Sequence, residues 1–173
     1  TVPVPTGYRN DDLLVIVAES ANQAFTTPTG WTEVADSPQS TGTAAAAGGV
    51  RLAVWYKIAT GAEPSVTIAD TGNHQTAIMF AVRGADPTAP IDVTDGTVGA
   101  ATTSIVFPTV TTNVANTLVL LCLGNDRDAA YTNDLGTVTN ANLSGITRIH
   151  DEGIASGVGG GIGAWYGTKA TAG

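Results

Sequence analysis

Short apolar runs separated by clusters of Gly, Pro, Asn and Asp recur along the whole chain. The strongest are "DLLVIVAES" (12–20), "RLAVWYKIA" (51–59), "TAIMFAVRG" (76–84), "TSIVFPTV" (103–110) and "TLVLLCLG" (117–124). They are rich in β-branched and aromatic residues and are bounded by turn formers, which predicts strands. Weaker strand patterns lie at "WTEVA" (31–35), "SVTIAD" (65–70), "GITRIHD" (145–151) and "GIGAWYGTK" (161–169). No stretch repeats apolar residues at i, i+3, i+4 and i+7 between helix caps. "TAAAAG" (43–48) is too short for a stable helix and is read as a loop with at most one helical turn. Residues 13–18 and 118–123 are apolar at successive positions. Both faces should therefore be covered by protein, which places these two strands centrally in their sheets. The polar stretches 36–49, 72–75 and 125–144 are expected at the surface.

About ten short strands without helices predict an all-β fold, a double-sheet antiparallel β-sandwich of jelly-roll type. Residues 1–173 read as one such domain, opened by an extended arm at 1–7. The two halves echo one another. "NDDLLVIVAESAN" precedes a long loop and "GGVRLAVWYKIATG"; "NTLVLLCLGND" precedes a long loop and "GGGIGAWYGTKATAG". Trp55-Tyr56 and Trp165-Tyr166 occupy matching places. A repeated β-unit and the ordinary likeness of sandwich strands both account for this pattern.

Composition narrows the partners. The chain of 173 residues carries 7 Lys and Arg against 15 Asp and Glu, a net charge of −8. No basic patch is available for phosphate contacts, so nucleic acid is not an expected partner. An anionic membrane surface would repel the chain, and no apolar run approaches the roughly 20 residues of a membrane span. The N-terminus shows no signal-peptide pattern, although the sequence starts at Thr1. The single cysteine, Cys122, lies within an apolar strand and reads as a small buried hydrophobe.

Aromatic residues are few, at 6% of the chain. Trp31 follows a Pro-Thr-Gly turn and starts a short strand. A tryptophan there plugs the end of a sandwich, its ring filling a gap and its N–H meeting a loop carbonyl. The competing role is a sugar-stacking platform, which calls for aromatic partners that this stretch lacks. Trp31, Trp55, Tyr56, Trp165 and Tyr166 are accordingly assigned to the core, whereas Tyr8 and Tyr131 lie in polar loops and are the candidates for exposed contact.

Catalytic patterns are absent from the sequence. His74 ("TGNHQT") and His150 ("RIHDEG") have no nucleophile motif to serve. "NDRDAAYTND" (125–134) places Asp at i and i+2 but lacks the central Gly and terminal Glu of a calcium loop. Asp11-Asp12 reads as a solvated start to a strand. "GIASGVGGGIG" (153–163) has no Gly-Lys-Ser/Thr and reads as a flexible hairpin tip, not a phosphate loop. No catalytic residue, cofactor or metal site is assigned.

Five signatures nevertheless follow one another in order: "PTGYRNDDLLVIV", "PTGWTEV", "RLAVWYKIATGAEPSVTI", "AIMFAVRGADPTAPIDV" and "GAWYGTKATAG". This set resembles a β-sandwich domain of structural proteins in tailed bacteriophages and prophages. It implies a virion protein, a capsid decoration or cement subunit on the particle surface, packed against capsid or tail proteins and forming a homo-oligomer such as a trimer. Thr1, Val2, Pro3, Val4 and Pro5 would form a free arm laid on a neighbour, with Tyr8 and Tyr131 as further contacts. The alternative is a tail-fibre or receptor-binding module that grips glycans. A bacterial surface module is a third class, and an enzyme is the weakest reading.

Overall fold

In the computed structural model, which describes residues 1–100 and 104–173, nine strands form two antiparallel sheets. Among the described residues there is no helix. In the first sheet β1 (Leu13–Ser20) lies between β4 (Val50–Ile58) and β5 (Gln75–Val82). The short β2 (Thr32–Glu33) and β3 (Gln39–Thr41) pair with the far side of β4. The second sheet comprises β6 (Thr117–Asn125), β7 (Tyr131–Thr132), β8 (Ser144–Ile154) and β9 (Gly160–Lys169), in the order β6-β9-β8-β7. The first half of the chain thus makes one sheet and the second half the other. The strands do not alternate between sheets as a jelly roll would require.

The sheets face one another in a sandwich, offset sideways. β6 lies over β4 and β1, and β9 lies over β1 and β5. Between them Leu13, Val15 and Val17 of β1 meet Ile162 of β9, with Val54, Phe80, Leu120 and Cys122 packed around. The other face of β1 is covered as well: Ile16 and Ala18 join Ala53 and Trp55 beneath Val2, Phe25, Trp31, Val66 and Ile68. Every residue of β1 is buried, which explains its unbroken apolar run. Each buried Leu, Ile or Val there contributes about 1.5–3 kcal/mol.

The echo between the halves has a counterpart in space. Ile16 pairs with Trp55 and Val15 with Tyr56; Leu121 pairs with Trp165 and Leu120 with Tyr166. Each tryptophan faces outward from its sheet and is met edge-on by a loop phenylalanine. Phe25 stands 5.6 Å from Trp55 at 86°, and Phe107 stands 6.4 Å from Trp165 at 73°. Trp55 and Trp165 are buried, at 1% and 4% exposure, while Tyr56 and Tyr166 are half-buried.

Several expectations are corrected. The strand 118–123 is not central: β6 is an edge strand, half-buried throughout, and the glycine-rich β9 takes the centre. Glycine there makes room for large neighbours, since Tyr131 lies over Gly161, as it does over Gly153 of β8, and Trp165 folds back over Gly163. Residues 104–110 form no strand but a loop that carries Phe107 onto Trp165; Thr103 lies outside the described residues. Residues 65–70 contribute one bridge, Val66 to Val2. Within 72–75, His74 is buried rather than at the surface. Asp12 is also buried, because Arg83 clasps both its oxygens at 3.2 and 3.0 Å. The tip 155–159 is docked, its Val158 N–H donating to Asn73 Oδ1 at 3.0 Å.

Candidate functional site

The N-terminal arm is held by its own domain. Val2 N–H donates to Val66 C=O at 2.7 Å, and Val66 N–H returns the bond at 3.0 Å. The Val2 side chain is only 4% exposed within the outer core, so it is not open to a neighbour as a free arm would be. Farther along, Arg83 donates to Gly7 C=O at 2.9 Å. Thr1 and Pro3 remain exposed, and Val4 and Pro5 are half-buried.

This docking helps build a shallow hollow of about 250 Å³, lined by Pro28, Trp31, Lys57, Glu63, Pro64 and Val66 among others. Trp31 is half-buried. Its ring packs on the outer core, as expected of a plug, while part of it also lines the hollow. Lys57 Nζ donates to Glu63 Oε2 at 2.5 Å, and Glu63 Oε1 accepts from Thr60 N–H and Oγ1 at 2.7 and 2.8 Å. Lys57 and these donors hold the Glu63 carboxyl below its ordinary pKa. Tyr8 is not a free loop contact: its hydroxyl accepts from Glu63 N–H at 2.7 Å. The polar groups of the hollow are therefore satisfied internally, and what it offers a ligand is the tryptophan face and the rim hydroxyls of Thr29, Ser65 and Thr67.

A second assembly lies between the sheets at the opposite end. Glu19 of β1 shares the inward face with Val17, and His74 Nε2 stands 3.0 and 3.2 Å from its two carboxylate oxygens. Both side chains are 0% exposed. They fill a notch at Gly160, where a Cβ would fall 2.7 and 2.8 Å from the Glu19 oxygens and against His74 Nε2. Burial, with the charge of Asp126, pushes Glu19 up to about 9, and burial pulls His74 down against the opposing effect of Asp128. Burial thus works against charge on both members of the pair. Closed off from solvent, the pair bridges β1 to the turn before β5 in the core. Sequence reading passed over Glu19; its signal was a carboxylate on the buried face of an otherwise apolar strand.

The remaining candidates resolve into local structure. Tyr131 is not an exposed loop residue but part of β7; its hydroxyl accepts from Asn125 Nδ2 at 2.6 Å and Arg127 lies 5.0 Å above its ring. Arg127 also pairs with Asp134, which organises the acidic loop. Among the described residues no three metal-ligating side chains converge. His150 is half-buried on β8, away from His74's partners, and its burial lowers its pKa. The Cys122 thiol packs against the inter-sheet core, and burial pushes it up to about 12. Comparison with known family models, with characterised proteins and with solved structures finds no match for this chain.

Proposed function

We propose that this chain is a non-catalytic structural subunit of a tailed-phage particle, a capsid decoration or cement protein on the virion surface that assembles as a homo-oligomer beside other virion proteins. The observation that carries the reading is a set of apolar side chains left in water along one connection. Val93, Val98, Ile105, Val106 and Val114 are all exposed, Val106 at 82%. An isolated exposed valine is ordinary, but several on one segment mark a surface made to be covered. β5 and β6 add two uncharged edge strands of 8 and 9 residues, the kind of edge that solitary domains blunt with charge or proline. The ordered signatures that resemble phage sandwich domains point the same way.

Co-sedimentation tests this. Mixed with undecorated capsids of the phage that encodes it, the chain is expected to pellet at saturating, fixed stoichiometry; a chain left in the supernatant contradicts the reading. The Trp31 hollow favours one second reading, a glycan-binding module. In that case a glycan array would show specific binding that Trp31→Ala abolishes.

A further inference from the structure

The two sheets do not end flush. The first stops at β5, whereas the second continues past it, since β9 is the strand that covers β5 and β8 and β7 lie beyond β9. The overhang is two strands wide, roughly 10 Å at ordinary strand spacing. Its inward face can be read from the register. Residues directly opposite share a face, so Glu152 and His150 of β8, paired with Ile162 and Ala164, point to the same side as Ile162, which sits between the sheets. Thr147, paired with Tyr166, follows them. Glu152 and Thr147 are exposed, and His150 and Tyr166 half-buried. Arg148 does not neutralise this shelf, because its guanidinium is turned to the opposite face, donating to Asn133 Oδ1 at 3.0 Å and Gly136 C=O at 2.8 Å. Beneath the shelf runs the edge of β5, "QTAIMFAV", with no charge and, among the described residues, no ladder partner beyond β1.

We propose that the β5 edge under the β8 shelf accepts a single extended segment of a partner chain, added as a strand to the first sheet, with lysine or arginine facing Glu152. The overhang selects this occupant. Antiparallel pairing of two β5 edges places a two-fold axis perpendicular to the sheet, which would put both copies' β7 and β8 over the same junction. A second sandwich therefore collides, while one strand with nothing on its back fits beneath the shelf. Charge selects the side chains: the shelf's fixed charge is Glu152, the molecule carries −8, and a basic segment is both attracted and paired. At the loop end the hydrogen bond from Val158 to Asn73 ties the two sheets together, and at the other end Ala85 packs against the inter-sheet core, so the segment enters along the flank of β5. This inference rests on the proposed role as an assembly subunit, for which it specifies the partner's chemistry.

The test uses free protein and two capped peptides of about ten residues, long enough to span β5, one alternating valine and lysine and the other valine and glutamate. Amide exchange is followed along the chain. The lysine peptide is expected to slow exchange in β5 by about tenfold or more, the glutamate peptide to leave it unchanged, and Glu152→Lys to reverse that preference. Glu152→Gln, the milder change at this exposed site, should weaken the lysine peptide without helping the other; thermal melts of both variants confirm folding. Absence of protection at β5, equal protection by both peptides, or a dimer protecting β5 without peptide would each overturn the proposal. These outcomes separate from those of capsid binding: a chain that decorates capsids yet ignores the lysine peptide retains its role and loses this site, and the reverse result does the opposite.

Discussion

At the scale of single residues, the Glu19–His74 pair makes the sharpest prediction because its proton count differs from that of the unfolded chain. Unfolded, Glu and His titrate near 4.5 and 6.5. The raised Glu19 pKa lowers stability as pH rises from about 4.5 towards 9, and the depressed His74 pKa lowers it as pH falls from about 6.5, each at up to about 1.4 kcal/mol per pH unit. Between 4.5 and 6.5 the two trends oppose one another and flatten the profile, leaving the Glu19 limb above and the His74 limb below. Denaturant titrations across pH should show this plateau for the native chain. In Glu19→Gln the alkaline limb should vanish and the acid limb should begin near 6.5; a variant with the native profile would contradict the raised Glu19 pKa. Gly160→Ala, which pushes a methyl into the pair, is expected to cost about 1–3 kcal/mol in the same titration. Trp31→Ala should cost about 2–3 kcal/mol, less than a wholly buried tryptophan, because half its ring faces the hollow. At this scale the sequence was only partly legible. Trp55 and Trp165 were readable as core from their strands. Val2, Asp12 and His74 were not, since each is buried by residues remote in sequence: Val66, Arg83 and Glu19.

At the scale of elements, β1, β4 and β5 fell within a residue or two of their apolar runs, because a strand covered on both faces has little choice of composition. β6 misled for an instructive reason. An edge strand becomes apolar on both faces when its outward face is covered by a loop instead of another sheet, and here the connection carrying Phe107 supplies that cover. The same principle explains β9, whose glycines suggested a flexible tip. Its interior positions are empty so that Tyr131 and Trp165 can fill them, and no local pattern reports that. The paired Phe–Trp contacts give the internal echo a measurable consequence. Phe25→Ala and Phe107→Ala should each destabilise the fold, by about 2–4 kcal/mol for these half-buried rings, and the two losses should add, since the rings pack on different sheets. Calorimetry of the single and double variants checks this; strong non-additivity would mean that the two outer cores are not independent.

At the scale of the whole molecule, the fold class was legible because nine turn-bounded runs without helical periodicity leave few alternatives to a sandwich. The assignment of halves to sheets was not, because strand order is decided by long-range pairing. Function is written more faintly still. The Lys57 and Glu63 charges at the Trp31 hollow are satisfied from within and the Glu19–His74 pair is buried, while several apolar side chains and two uncharged strand edges face solvent. Such a surface suits a protein that works by being packed against others. The most direct measurement is electron cryo-microscopy of capsids reconstituted with the purified chain. The account predicts ordered density for the sandwich at lattice positions on the particle surface, with Val98, Ile105, Val106 or Val114 covered at a contact. Bare capsid lattices at saturating protein, with the chain found instead on host glycans through Trp31, would contradict it.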